Sequence, residues 1–235
     1  MWRKLVDDLS ADFHVLVVDL PGHGASAFRP WVSLSDTAAA VAELVLRQAY
    51  HAQAHLVGLS LGGYVALEVA AARPDLVPSV TVTGVNVLPF PRPRLMRLAG
   101  RMMAPVMTSG TMLRANARAL KVTPEEFDGY VDAARSMAPG TFLTVGDELM
   151  TYTVPTGAAT SPTRVLALAG SQEQLLIRRS LSVISAAFPH GAARIAPNVG
   201  HAWNGQAPDL FAAAVRANIT NTALPEGLLS ASLSD

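Results

Sequence analysis

The chain has 235 residues, half of them hydrophobic, with no cysteine and with 18 lysines and arginines against 18 aspartates and glutamates. This length suits one core with an insertion better than two cores. The absence of cysteine excludes disulfides, thiol catalysis and cysteine metal sites. The balanced charge argues against nucleic acid or an anionic membrane as a partner, and favours a small-molecule substrate. No apolar run approaches the roughly 18 residues of a membrane span, and the first residues lack the apolar core of a signal peptide. We therefore expect a cytoplasmic protein, a monomer or homodimer.

The first predicted element is a strand. "HVLVVDL", residues 14–20, is a nearly continuous apolar run that ends at Pro21 and Gly22, which is typical of a strand buried on both faces. A helix is predicted next over residues 35–49, because Ser33 and Asp36 have the spacing of a capping box and an apolar 3.6-residue period follows.

The later elements continue the same alternation. Strands are predicted at "AHLVGLS", "SVTVTGV", "RVLALAG" and "AARIA", and helices at "YVALEVAAARP", "QLLIRRSLSVISAAF" and residues 208–218. Alternating strands and helices predict an α/β fold with a mostly parallel sheet and helices on both faces.

Between residues 88 and 162 the alternation stops. Prolines, glycines and seven of the eight methionines collect there without strand signals. We predict four parts: core residues 1–87, a helical lid insertion at 88–162, core residues 163–220 and a flexible tail at 221–235. The structural interpretation of the lid methionines is that lid helices pack their own apolar faces. The functional alternative is that adaptable thioethers line an apolar acyl pocket.

A G-x-S-x-G motif lies between a predicted strand and a predicted helix. Gly58, Ser60 and Gly62 form it within "VGLSLGG". In that context the serine occupies a sharp, strained turn, and the free N–H groups at the helix start face a developing oxyanion. Ser60 is the candidate nucleophile, with the N–H of Leu61 as one oxyanion donor. The structural alternative is an ordinary glycine turn whose small residues let the helix pack on the sheet.

A serine nucleophile needs a base and an acid that orients the base. His201, in "NVGHAWNG", follows the last predicted core strand, at the sheet edge where catalytic groups collect. Glu173 follows the strand that ends at Gly170 and is the candidate acid. The structural alternative is that its carboxylate, at the N-terminus of a helix, only interacts favourably with the helix dipole. Asp147 and Glu148 are the other acid candidates. Structural or solvated roles are expected for the remaining histidines: His14, His23, His51, His55 and His190.

Four segments resemble the α/β-hydrolase superfamily. "DLPGHGAS" is similar to the segment that follows the family's fourth strand, "VGLSLGG" to its nucleophile elbow, "VLALAGSQEQ" to its acid segment and "NVGHAWN" to its histidine loop. The resemblance implies a catalytic triad of Ser60, Glu173 and His201, with the insertion as a lid over the acyl pocket.

The chain departs from the family pattern at two places. Family members more often carry aspartate at the position of Glu173. They also carry, ahead of the segment that resembles the start of this chain, a central strand ending in a His-Gly loop that supplies the second oxyanion donor. We therefore hypothesise that Met1 is an internal methionine or that the sequence is a fragment, which the reading frame upstream of Met1 would decide.

Two functions follow from the sequence. The leading hypothesis is a cofactor-independent and metal-independent serine hydrolase acting on a small, mostly apolar ester. The alternative is a non-catalytic or weakly active ligand-binding protein that keeps the elbow but lacks the oxyanion loop.

Overall fold

The computed structural model describes residues 1–231 and contains a five-stranded sheet in the order β1-β2-β3-β4-β5. The first four strands are parallel to one another and β5 is antiparallel to β4. The strands are β1 (Leu56–Leu59), β2 (Ser79–Thr83), β3 (Arg164–Gly170), β4 (His190–Ala196) and β5 (Leu229–Ser230). The four parallel strands coincide with predicted ones, and the predicted α/β fold is confirmed.

Helices occupy both faces of this sheet. They are α1 (Arg3–Leu9), α2 (Leu34–Gln48), α3 (Leu61–Ala72), α4 (Pro93–Met103), α5 (Gly110–Ala119), α6 (Phe127–Arg135), α7 (Thr141–Leu149), α8 (Leu175–Ala187), α9 (Trp203–Gln206) and α10 (Pro208–Thr220). The predicted start of α2 is confirmed in detail, since the Ser33 side chain accepts a hydrogen bond of 3.0 Å from the Asp36 N–H.

The core lies in two layers because successive side chains of a strand point to opposite faces. Val165 and Ala167 of β3 belong to a cluster with α2, α3 and α8, whereas Leu166 and Leu168 belong to one with α1 and α10. All four residues are buried. Burial on both faces explains why the β3 sequence is apolar throughout rather than alternating.

The predicted strand at residues 14–20 is wrong. The segment has no regular secondary structure and pairs with no strand among residues 1–231, and Leu16, Val17 and Val18 are 39–61% exposed. An apolar run becomes a strand only where a neighbouring edge satisfies its N–H and C=O groups. Here a cavity of about 530 Å³ separates the segment from β1, and both line it.

We expect this segment to exchange its amide hydrogens rapidly. No N–H group of residues 14–20 donates a hydrogen bond within the described part of the chain, whereas β2 is bonded on both sides. Unpaired, exposed backbone opens at almost no free-energy cost. Hydrogen exchange followed by mass spectrometry should show full exchange of residues 14–20 within seconds and slow exchange of β2. Equal protection of the two segments would contradict this account.

Part of the predicted tail, residues 221–235, packs on the core. Leu228 is buried against α10, and β5 adds two residues to the edge of the sheet. A strand of two residues carries no periodic signal, so the sequence pattern does not indicate β5. Residues 232–235 lie outside the described residues.

Residues 88–162 contain α4 to α7 and no strand, within the structure described. Met96, Met102 and Met103 of α4 are exposed, so they do not form a packed apolar face of that helix. None of the three lines the cavity of about 530 Å³ beside β1. Every helix in residues 1–231 is too short or too polar to cross a bilayer.

Candidate active site

The G-x-S-x-G motif forms a sharp turn between β1 and α3. Ser60 has φ 52° and ψ −122°, a left-handed conformation that L-residues seldom adopt. Its N–H donates to the Thr83 carbonyl at 2.8 Å and its carbonyl accepts from the Gly63 N–H at 2.8 Å. These bonds hold the strained residue at the carboxyl end of the sheet. Strain of this kind costs on the order of 1–3 kcal/mol and is concentrated at functional sites.

The three glycines of the turn have different roles. A Cβ atom on Gly58 would strike the backbone of Gly62, and one on Gly63 would lie 2.5 Å from Cγ2 of Val85. A Cβ atom on Gly62 would meet no heavy atom within 4 Å. Close packing therefore explains why Gly58 and Gly63 have no side chain, as the structural interpretation of the motif proposes. It does not explain Gly62.

We predict that Gly63→Ala destabilises the protein and that Gly62→Ala does not. The extra methyl group at position 63 overpacks the contact with Val85, which typically costs about 1–3 kcal/mol. At position 62 the free energy of unfolding should change by about 0.5 kcal/mol or less. Urea unfolding of both variants provides the measurement, with Gly62→Ala as the matched control. Equal stability of the two would mean that the α3–β2 packing adjusts freely.

Glu173 and His201 form a close, buried pair. Nδ1 of His201 lies 2.6 Å from Oε2 of Glu173, and the two side chains are 13% and 3% exposed. The other carboxylate oxygen, Oε1, accepts from the N–H of Gln174 at 3.0 Å. With both oxygens engaged, the carboxylate fixes the imidazole orientation and leaves Nε2 as the nitrogen free to exchange a proton.

The loops that carry these two residues are bonded to each other. Ser171 N–H donates to the Ala196 carbonyl, Gln172 N–H donates to the Val199 carbonyl, and Asn198 N–H donates to Oγ of Ser171, at 2.8–2.9 Å. These contacts follow from the parallel pairing of β3 and β4, whose carboxyl ends lie side by side. Residues 25 to 28 positions apart in sequence thereby meet, Glu173 and His201 among them.

Thr83, at the end of β2, connects the elbow to the histidine loop. Its carbonyl accepts from Ser60, and its hydroxyl accepts from Nε1 of Trp203 at 2.8 Å. The next residue, Gly84, has φ 71°, and a Cβ atom there would lie 2.6 Å from Cε1 of His201. The imidazole therefore lies against the end of β2, directly beside the elbow.

Ser60 and His201 form no hydrogen bond with each other in the described structure, an arrangement that is often loose without substrate. Sequence reasoning missed Thr83, Gly84 and Trp203. The position of Thr83 and Gly84 in the sequence could have revealed them, because the strand "SVTVTGV" ends at the sheet edge where the other site residues collect.

A buried polar network supports the segment after Gly84. The hydroxyl of Tyr64 accepts from the Asn86 N–H at 2.9 Å, and the hydroxyl of Ser180 donates to Oδ1 of Asn86 at 3.0 Å. Burial raises the pKa of Tyr64, the bond from Asn86 opposes this, and the negative charge of Glu173 adds to the rise. Tyr64 thus stays neutral near pH 7.

The other acid candidates lie elsewhere. Asp147 pairs with Arg97 and Arg101 at 3.4 Å. Glu148 accepts from Nε1 of Trp31 at 3.1 Å and from the N–H of Leu34 at 2.7 Å, at the start of α2. Asp147 therefore joins α7 to α4, and Glu148 joins α7 to the start of α2. Glu173 is the carboxylate that lies beside His201.

Two of the remaining histidines have local partners. Nδ1 of His23 lies 2.9 Å from the Pro21 carbonyl, and Nδ1 of His55 lies 2.8 Å from the Ser79 hydroxyl. Burial lowers the pKa of His55, and the nearby positive charge of Arg164 lowers it further. These contacts suit structural roles.

The fold and the arrangement of Ser60, Glu173 and His201 define a protein of the α/β-hydrolase class. A model of the alpha/beta hydrolase family matches residues 1–214, and the chain belongs to this family. A pimeloyl-[acyl-carrier protein] methyl ester esterase of Yersinia enterocolitica is 29% identical over 232 residues, covering 90% of this chain and 84% of the relative. An AB hydrolase superfamily protein of Gibberella zeae is 33% identical over 87 residues, which are 37% of this chain and 30% of that protein.

Solved structures have the same fold. A hydrolase from Pseudomonas aeruginosa covers 93% of this chain and 84% of its own, with a TM-score of 0.76 and 19% identity. A thermophilic esterase from Thermogutta terrifontis covers 94% of this chain and 84% of its own, with a TM-score of 0.70 and 17% identity. These two likenesses concern the fold. The family match and the relatives named as esterases show that the chain is a hydrolase enzyme of the α/β fold.

Proposed function

We propose that the chain is a serine esterase acting on a small, mostly apolar ester. The observation that carries the proposal is the buried bond of 2.6 Å between Nδ1 of His201 and Oε2 of Glu173, beside a strained serine at an elbow. A carboxylate held in this way favours the imidazole tautomer whose Nε2 accepts a proton. The relative from Yersinia enterocolitica, named as a methyl ester esterase, supports an ester as the substrate class.

In the proposed reaction Ser60 Oγ attacks the acyl carbonyl while Nε2 of His201 takes the hydroxyl proton. The oxyanion accepts a hydrogen bond from the Leu61 N–H, a donor at the N-terminus of α3. His201 then returns the proton to the leaving alcohol, which leaves an acyl-Ser60 ester. Water attacks this ester with His201 again as the base, releasing the acid and the free serine. Glu173 stabilises the imidazolium in both steps.

The test is reaction with a fluorophosphonate probe together with hydrolysis of p-nitrophenyl acetate and butyrate. The proposal predicts a covalent adduct at Ser60, located by peptide mass spectrometry, and a loss of ester hydrolysis in proportion to labelling. An unlabelled Ser60 in a chain that binds but does not hydrolyse the ester would contradict it.

A second candidate, a non-catalytic or weakly active ligand-binding protein, is favoured by one observation. The edge of β1 facing residues 14–20 is unpaired in the described structure, and the cavity there reaches Leu59, Leu61 and Gly62 on either side of the serine. This is the edge where the family resemblance expects the strand leading to the second oxyanion donor. A ligand held in this cavity beside the elbow, without turnover, is what the second candidate predicts.

A further inference from the structure

The charges of this chain are segregated, although they balance overall. Residues 76–124 contain seven of the 18 lysines and arginines and none of the 18 aspartates and glutamates. The seven are Arg92, Arg94, Arg97, Arg101, Arg114, Arg118 and Lys121. The net charge of the whole chain, from which we expected no anionic partner, therefore conceals a strongly cationic segment.

Helix α4 lies within this segment and turns an apolar stripe to solvent. Leu95, Leu98 and Met102 are 57%, 56% and 73% exposed, and spacings of three and four residues place them on one face. None of the 11 residues of α4 is buried. A surface helix of a globular protein normally packs its apolar face against the core. The apolar stripe of α4 has no such packing partner within the described residues.

An arginine stripe runs beside the apolar one. Arg94, Arg97 and Arg101 are also spaced by three and four residues, on the adjoining face of the helix. Helix α4 also packs on α7, and Asp147 of α7 pairs with both Arg97 and Arg101 of this stripe. One carboxylate shared by two guanidinium groups leaves the stripe with a net positive charge.

We propose that α4 docks this protein on an anionic lipid surface. In that position the leucines and Met102 enter the boundary between headgroups and acyl chains, and the arginine side chains lie along the helix with their guanidinium groups among the lipid phosphates. A basic amphipathic helix with its apolar face exposed has the composition of an in-plane membrane helix. Surface docking needs no spanning segment.

A second copy of the chain covers the stripe less favourably. In a two-fold dimer the same surface faces itself, so the arginine stripe of one copy would oppose that of the other. Like charges brought together at an interface oppose association. An anionic lipid surface satisfies the apolar stripe and the positive charge at once.

The test is co-sedimentation of the full chain with vesicles of phosphatidylcholine alone or with 30% phosphatidylglycerol. We expect binding to the anionic vesicles that weakens as salt rises. Arg94→Gln should weaken it about fivefold, the factor that corresponds to about 1 kcal/mol per basic residue near an anionic surface. The double variant Leu95→Asn/Met102→Asn should abolish it, with an unchanged circular dichroism melting curve.

The matched controls lie on α8, on which Arg179 and Val183 are exposed. Arg179→Gln and Val183→Asn should bind vesicles as the parent does. Three outcomes would overturn the proposal. The parent chain fails to bind anionic vesicles; the α8 variants lose as much binding as the α4 variants; or the double α4 variant still binds, which would indicate charge-only attraction to any polyanion, an acidic protein included. A parent dimer that Leu95→Asn/Met102→Asn dissociates, without vesicle binding, would assign the stripe to a second copy instead.

Discussion

Ser60→Ala is expected to lower kcat for p-nitrophenyl butyrate by about 10⁶, the loss found when the nucleophile of a serine triad is removed. The physical reason is that no other hydroxyl is held at the strained turn between β1 and α3, so the covalent route closes. Initial rates with parent and variant at matched concentration, together with fluorophosphonate labelling, provide the measurement. The variant should fold normally, because the hydroxyl of Ser60 makes no hydrogen bond within residues 1–231 and its backbone bonds are kept.

Ser35→Ala is the matched control, since Ser35 is exposed in the first turn of α2 and is not part of the elbow turn. It should retain full activity and labelling. Hydrolysis and labelling that persist in Ser60→Ala at the parent level would remove Ser60 from the reaction. Absence of activity in parent and variant alike would favour the ligand-binding alternative.

Glu173→Gln is expected to lower kcat by about 10⁴, because an amide stabilises neither the required tautomer nor the imidazolium of His201. The comparison variants are Asp147→Asn and Glu148→Gln, which remove the other two carboxylates that the sequence offered. Asp147→Asn should leave kcat near the parent value, since its carboxylate pairs with Arg97 and Arg101 instead. Steady-state kinetics of the three variants at one pH measure this.

Glu148→Gln should act on stability rather than chemistry. Its carboxylate accepts from Trp31 and from Leu34 N–H, so the amide weakens the attachment of α7 to the start of α2. Comparing the change in kcat with the change in stability for each variant therefore separates a role in the reaction from a role in folding. A fall in kcat for Asp147→Asn that matches the fall for Glu173→Gln, at equal stability, would overturn the assignment of the acid.

Local patterns predicted most of the sheet. β3 and β4 appear in the sequence as short apolar runs bounded by turn residues, and α2 begins where Ser33 and Asp36 have capping spacing. These signals work because they depend on neighbours within a few positions of the chain. The positive φ of Ser60 was also foreseeable, since the motif between strand and helix requires it.

The same reasoning failed where an element depended on a distant partner. Residues 14–20 have the composition of a buried strand, yet no edge bonds to them in the described structure. The stripe on α4 has the period of a packed helix, yet it faces solvent. In both cases the sequence reports which face is apolar and not what covers it.

The sequence by itself determined the fold class, the elbow and a short set of candidate partners for Ser60, because each depends on a pattern of residues close together in the chain. Only the tertiary structure shows which of the three carboxylates lies beside His201. Glu173 meets His201 because β3 and β4 pair in parallel and their following loops bond to each other, whereas Glu148 is drawn to Trp31 and Leu34. Contacts between residues far apart in sequence depend on the register of strands and the packing of helices, and no short stretch of the chain encodes either.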